Sequence, residues 1–320
     1  MYQIPKKEIW KGRVNPDPGD KQWHQVIEML DMTNDIWQPA ADRAIALIGF
    51  CSDEGVRRNF GRVGAKDGPD AIRSDLARLA VHHDPNQLAI VDAGNVLCSG
   101  KHLEKAFQLL AGKILDLLNA GYFPMVLGGG HETAYPHFCA IDHHFDHQND
   151  IGIINFDAHF DMRTYATGPH SGSPFRNVLN DLKKADRNLH YLPIGIDPSV
   201  NVKSLFDVMD EHDQGFILQD DVNGLPYADL NHIVNKFIDK VDHVYVTIDM
   251  DCFPVAYAPG VSATNPIGIL PQTVKRLLAD ILSSGKVVSL DVVEVNPKFD
   301  DGRTSKLAAS LINEAAVYLA

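Results

Sequence analysis

The chain has 320 residues, of which 45% are hydrophobic, 22% charged and 8% aromatic, an ordinary globular balance with ample apolar material for one large buried core. Its formal net charge of -13 at pH 7 argues against a broad nucleic-acid or anionic-membrane surface, so basic residues that matter should act locally. The amino terminus MYQIPKKEIWKGRV lacks an apolar signal-type stretch and no segment approaches the roughly 20 apolar residues of a membrane span, so a soluble, cytoplasmic protein is expected.

Short strand-type runs recur along the chain: AIALIGF (44–50), LAIVDAG (88–94), YFPMVLGGG (122–130), IGIINFD (151–157), LHYLPIGI (189–196), FILQDDV (216–222), HVYVTIDMD (243–251) and VVSLDVVEV (287–295). Most are continuously apolar, as strands buried on both faces are. Helical patterns lie between several of them. Leu103, Phe107, Leu110, Ile114 and Leu117 recur at helical spacing, and Val274, Leu277 and Ile281 stand between the start signal Pro271 and the stop signal Gly285. This alternation predicts about eight parallel strands with right-handed crossovers, either as an open sheet between two helical layers or as a closed barrel. No Ser/Gly/Pro-rich linker divides the chain, so a single domain is expected.

In either architecture reactive groups should gather at the carboxyl ends of the strands. NFDAHFDMR (155–163) places Asp157, His159 and Asp161 at every second position after IGII, so that an extended segment would point all three to one face. Asp249 and Asp251 follow HVYVTI with the same spacing, and His131 follows VLGGG. Four carboxylates gathered at one rim call for charge balance, and two divalent cations supply it. Oxygen ligands with some imidazole and no thiolate suit Mn²⁺ in a dinuclear site whose metal-bridging hydroxide is the nucleophile.

GGGHE (128–132), NFDAHFDMR, TIDMDCFPVAYAPG (247–260) and SLDVVEVNP (289–297) resemble, in order and spacing, the signature blocks of the ureohydrolase family that contains arginase, agmatinase and formimidoylglutamase. The resemblance runs from about residue 44 to the end. It implies a three-layer α/β/α sandwich with an eight-stranded parallel sheet, hence one domain over residues 1–320 with residues 1–43 as an extension packed on it. It also implies that His131, Asp157, Asp161 and Asp249 hold one Mn²⁺ and that Asp157, His159, Asp249 and Asp251 hold the other, with Asp157 and Asp249 bridging. Glu294 matches the family glutamate that binds amidinium nitrogens, and a carboxylate aligned with an amidinium would fix its carbon for attack. Asp161 can hydrogen-bond the hydroxide and pass a proton to the departing amine. Trimers or hexamers are the assemblies the resemblance implies.

Departures from arginase bear on the substrate. Arg163 stands where arginases carry an asparagine, and SGSPFR (171–176) replaces the arginase segment SGNLHG, whose histidine falls at or beside Phe175. Arg163 and Arg176 near the mouth should repel a cationic tail and attract carboxylates. An amidinium at one end and two carboxylates at the other describe N-formimino-L-glutamate, and the blocks look like the formimidoylglutamase branch, which acts in histidine degradation and yields glutamate and formamide. A guanidino acid of the guanidinobutyrate type is the catalytic alternative and a ureohydrolase-like binding protein the non-catalytic one. DHHFDHQND (142–150) reads as a helix end and a solvated turn, Cys252 as a packing residue, and Arg57, Arg58 and Arg62 as surface or ion-pair residues as readily as site residues. No Ser or Cys has a base nearby in sequence to suggest covalent catalysis.

Overall fold

Runs such as AIALIGF and HVYVTI can be apolar throughout only where a sheet is covered on both faces, and that is how the chain is built. A computed structural model describes residues 1–17, 19–33, 38–41, 43–82, 84 and 87–320, so that residues 18, 34–37 and 42 of the 1–43 extension lie outside the described residues. The strands are β1 (Tyr2–Gln3), β2 (Glu28–Met29), β3 (Arg43–Cys51), β4 (Leu88–Leu97), β5 (Phe123–Leu127), β6 (Ile151–Phe156), β7 (His190–Ile196), β8 (Ile217–Leu218), β9 (His243–Asp249) and β10 (Val287–Val293). They form one open sheet in the order β1-β4-β3-β5-β10-β9-β6-β7-β8, with β2 also paired to β4. The eight strands expected from β3 onward are all present and mutually parallel. Two dipeptide strands extend the count to ten among the described residues: β1 joins antiparallel and β2 parallel, both on β4. Neither has an apolar run to announce it, because backbone pairing at an edge needs no side-chain pattern.

Alternate residues of each strand feed the two helical layers. Ile45, Leu47, Ile154, Ile248 and Leu290 pack with Ile72, Val274, Leu277, Ile281 and Ile312 on one face. Ala46, Ile48, Val126, Ile153 and Tyr245 pack with Leu103, Leu110, Ile114, Leu117 and Val178 on the other. Each fully buried Ile or Leu contributes about 1.5–3 kcal/mol relative to exposure, so the two apolar interfaces hold the sheet between the layers. The result is the expected three-layer α/β/α sandwich rather than a barrel. FILQDDV is strand only at β8, since a helix runs over Gln219–Gly224 with Asp220 and Asp221 in its first turn, where carboxylates complement the helix dipole. The 142–150 tract closes the helix Ala134–His144 and turns through Asp146 and His147, both at positive φ.

The described part of the amino-terminal segment lies along the β4 edge. Trp10 Nε1 donates to Asp92 at 2.8 Å and Trp23 Nε1 to Asn313 at 2.7 Å, and both indoles are buried. Buried Arg73 bonds the other Asp92 oxygen at 2.8 Å, so no charge of this cluster is left unpaired. Among the described residues no helix is long and apolar enough to cross a membrane.

Candidate metal centre and substrate cleft

The four adjacent central strands β5, β10, β9 and β6 are parallel, so their carboxyl ends open on one edge. His131 follows β5, Glu294 follows β10, Asp249 ends β9 and Asp157 follows β6. Convergence comes from turns rather than from strand alternation. The strand β6 ends at Phe156, and the segment after it bends so that Asp161 takes a left-handed φ of 49°. Asp251 lies in a 3-10 turn, Met250–Cys252, and its N–H faces the Asp249 side chain. Glu294 likewise has a φ of 66°. Left-handed backbone costs a residue with a Cβ on the order of 1 kcal/mol or more, and such outliers persist where surrounding contacts over-determine them. Before Asp161, Asn201 supplies such contacts: its Oδ1 accepts Phe160 N–H at 3.1 Å and its Nδ2 donates to the Ala158 carbonyl at 2.8 Å.

Two sets of ligand-type atoms result. His131, Asp157, Asp161 and Asp249 form one, and Asp157, His159 and Asp251 the other. His131 Nδ1 lies 3.1 Å from Asp157 Oδ2, 2.9 Å from Asp161 Oδ2 and 3.1 Å from Asp249 Oδ2. His159 Nδ1 lies 3.4 Å from Asp157 Oδ1 and 3.1 Å from Asp251 Oδ2. Asp157 thus spans both sets. Asp249 falls in the first alone, and its Oδ1 accepts the Asp251 N–H at 2.8 Å.

The donor set fits a divalent cation. His131 Nε2 is 3.1 Å from Thr247 Oγ1, while buried Nδ1 has no hydrogen-bond partner although three carboxylate oxygens surround it. A ring nitrogen oriented by a partner on its far side and aimed at clustered anions is what a ligating histidine looks like. The electrostatics agree. Burial opposes charge on His131, yet the carboxylates of Asp157, Asp161 and Asp249 around it outweigh that and hold the imidazole pKa well above its usual value. Burial, and then the Asp251 and Asp157 charges, raise Asp249 well above the carboxylate range, and burial chiefly pushes Asp251 up to about 6. Side chains alone therefore hold protons where cations would otherwise balance the charge.

A pH dependence follows. Asp251 rises from 3.8 to about 6 and Glu294 from 4.5 to about 8, and both histidines of the cluster are raised. Groups that bind protons more tightly when folded stabilise the fold at low pH, and that stability fades as pH climbs through the folded pKa. Chelated protein should therefore melt at progressively lower temperature between pH 5 and pH 8, with Mn²⁺ restoring more of the loss at pH 8. A melting temperature that is flat or rising over this range would contradict the described cluster.

A cleft of about 180 Å³ opens over these residues, lined also by Glu294, Asn59, Arg163, Ser171 and Ser262. Glu294 is buried; its Oε1 accepts the His131 N–H at 3.0 Å and its Oε2 has no hydrogen-bond partner among the described residues. Burial, then the Glu132 charge, push its pKa up to about 8. Arg163 is exposed at the cleft, its N–H bonded to the Gly172 carbonyl at 2.9 Å. Arg176 is not brought to the cleft, contrary to expectation. On the helix Pro174–Lys184 the inward position belongs to Phe175, whose ring stands edge-on 5.4 Å from that of His131. The next residue points about 100° away, so Arg176 Nε donates to the Met162 carbonyl at 2.9 Å.

The early arginines brace loops: Arg57 and Arg58 pair with Glu54, Arg58 also with Glu104, and Arg62 bonds the Val261 and Ser262 carbonyls. Cys252 packs in the core. Asn59, Ser171 and Ser262 are cleft residues that sequence reasoning missed. Ser171 stands in the SGSPFR block without an assigned role, and Asn59 and Ser262 carry no local signal. The fold also assembles a Ser-His-Asp series absent from the sequence pattern. His137 lies 2.6 Å from Ser289 Oγ and 2.7 Å from Asp291 Oδ2. All three are fully buried and the serine hydroxyl donates to the Pro124 carbonyl, so the series is internal bracing. A larger cleft, about 530 Å³, lies at Lys183, Arg187, His190 and His212, away from these carboxylates.

The arginase family model matches residues 43–318. The chain belongs to the arginase family. Within that family it is 38% identical over 321 residues to the formimidoylglutamase of Geobacillus sp. (strain WCH70), covering 99% of this chain and 97% of the relative. It is 41% identical over 308 residues to that of Chromobacterium violaceum, covering 95% and 96%. Among solved structures, Trypanosoma cruzi formiminoglutamase with Mn²⁺ matches at a TM-score of 0.77 and 26% identity, over 87% of this chain and 93% of that one. Formimidoylglutamase from Bacillus subtilis matches at 0.82 and 23% identity, over 96% and 94%, a likeness of fold. The sandwich expected from the signature blocks is thus the arginase-family fold.

Proposed function

We propose that the chain hydrolyses N-formimino-L-glutamate to L-glutamate and formamide, as a step of histidine degradation, with two Mn²⁺ ions held by His131, Asp157, His159, Asp161, Asp249 and Asp251. The observation that carries this reading is the partnerless Glu294 carboxylate oxygen in a cleft shared with the carboxylate-imidazole cluster and Arg163. The names of the arginase-family relatives support the substrate. When bound, the two ions would balance the carboxylate charges and supply a nucleophilic water near neutral pH.

Glu294 Oε2 would accept the amidinium N–H groups, a charge-assisted contact that holds the planar carbon toward the cluster. Arg163 would bind a carboxylate at the other end of the substrate. Asp161 would take the proton of the attacking water on a carboxylate oxygen and pass it to the glutamate nitrogen as the C–N bond breaks, leaving formamide. Phe175, packed between His131 and Tyr191, would keep bulk water from the side on which an arginase has a polar group.

A second reading has one observation in its favour. With Arg176 outside the cleft, a single arginine remains on its wall, and a guanidino acid with one carboxylate needs no more. Formamide release from N-formimino-L-glutamate by Mn²⁺-loaded protein, run beside urea release from guanidinobutyrate, agmatine and arginine, separates the two. Arg163→Ala should raise KM for the true substrate about 10- to 100-fold, as loss of a charged hydrogen-bond pair does, with Mn²⁺ content unchanged. An unaltered KM would remove Arg163 from the site.

A further inference from the structure

Glu132 follows His131 in the GGGHE block, is 1% exposed and has no part in the chemistry above. Its Oε1 accepts the Ser52 hydroxyl at 2.8 Å and the Gly55 N–H at 2.9 Å, while its buried Oε2 has no hydrogen-bond partner among the described residues. The carboxylate sits between Gly55 and Gly130, where a Cβ on either residue would collide with it. One side chain thus ties the segment leaving β3 to the turn leaving β5.

The tied segment leads directly to the cleft. Gly55 lies in the short helix Glu54–Arg58, and the Asn59 N–H returns to the Gly55 carbonyl at 3.0 Å. Phe60 then takes a φ of 61° as its N–H bonds the Arg57 carbonyl at 3.2 Å and Gly61 N–H bonds the Val56 carbonyl at 2.9 Å. That pattern of closing bonds ordinarily has glycine at the left-handed position. A phenylalanine 97% exposed there gains no packing, so the sequence leaves the turn unoptimised and its shape depends on contacts upstream. The turn aims Asn59 into the cleft wall, where Nδ2 donates to Ser171 Oγ at 3.1 Å. An amide nitrogen carries two donors, and Arg163 shares that wall.

We propose that Glu132 is a positioning residue that holds Asn59 in the cleft wall for contact with a substrate carboxylate. The inference rests on the substrate reading given above. It places the effect of Glu132 on substrate binding, whereas a residue that only supported the His131 turn would act on metal retention.

The test uses full-length, Mn²⁺-loaded protein. Glu132→Ala and Asn59→Ala should each raise KM for N-formimino-L-glutamate about tenfold, with kcat within about twofold and two Mn²⁺ retained. The double variant should be no worse than either single one, because both remove the same contact. Glu132→Gln keeps a carbonyl acceptor for Ser52 and Gly55 and should restore KM toward that of the unmodified chain. If Glu132→Ala does not fold, Ser52→Ala removes one of the two donors and should raise KM about threefold. Calorimetric titration with L-glutamate should show the same weakening without turnover.

Loss of Mn²⁺ or of kcat at constant KM would overturn the proposal, as would single-variant effects that multiply in the double variant. No turnover by the unmodified chain would instead sink the substrate reading. The positioning would then be read from hydrogen exchange at the Gly55 amide, which Glu132→Ala should accelerate and Asn59→Ala leave unchanged; an unaltered rate in Glu132→Ala would end the proposal.

Discussion

Alanine in place of Asp157 should, on the proposed two-ion reading, empty both metal positions and lower turnover by more than about 1000-fold, because a water that bound ions would activate would be lost with them. Asp157 is the one carboxylate common to both ligand sets, with Oδ2 at 3.1 Å from His131 Nδ1 and Oδ1 at 3.4 Å from His159 Nδ1. The fold favours its charged form: burial raises its pKa, but the neighbouring His131 and His159 imidazoles more than reverse that. Asn155 Nδ2 at 3.1 Å and the His159 N–H at 2.7 Å orient its two oxygens. Among the described residues no other carboxylate belongs to both sets, so none would replace Asp157 there. Metal analysis should find the stoichiometry falling from two ions per chain to below one, with far-UV circular dichroism unchanged. His159→Ala is the contrast, since it touches only the second set and should cost one ion. An Asp157→Ala protein that keeps two ions and a measurable rate would show that Asp157 is not shared.

Glu294→Gln should lower kcat/KM on the order of 10²- to 10³-fold while leaving Mn²⁺ content intact, the scale expected when one preorganised electrostatic contact to a reacting group is removed. The substitution is nearly isosteric. A glutamine carbonyl can still accept the His131 N–H that Oε1 accepts now, at 3.0 Å, so the left-handed turn at residue 294 and the packing around it need not move. What is lost is a carboxyl that can meet a cationic amidinium as an anion, and the NH₂ group left in the place of Oε2 would face amidinium hydrogens. Steady-state kinetics with metal analysis on the same sample distinguish this from a folding defect. Turnover within about threefold of the unmodified chain would remove Glu294 from amidinium recognition.

The layered fold was legible because parallel strands buried on both faces leave unbroken apolar runs, and seven of the eight runs became strands of five residues or more. The eighth, FILQDDV, kept only Ile217–Leu218, because its acidic tail starts a helix. The strands β1 and β2 were invisible, being edge pairings of two residues whose backbone bonds leave no trace in side-chain pattern. The six ligand-type residues stood out as paired carboxylates and histidines after strand-type runs, and the fold brings them together. The means differ from those expected: turns with Asp161 and Glu294 in left-handed backbone carry out a convergence that simple strand alternation would not have achieved.

Residue identity and the order of elements along the chain were thus enough to determine a parallel α/β fold, the set of ligand-type residues and the edge on which they meet, since these depend on local periodicity and on all carboxyl ends facing one way. The open sandwich rather than a closed barrel was read from the resemblance of the signature blocks. Tertiary structure alone decided which neighbours share the cleft. Arg163 is at its wall and Arg176 is not, because consecutive helical residues point in different directions and Phe175 takes the inward one. Asn59 and Ser171, 112 positions apart, meet across two loops whose proximity no short-range pattern encodes, and the first of these is bonded through Ser52 and Gly55 to the buried Glu132 carboxylate.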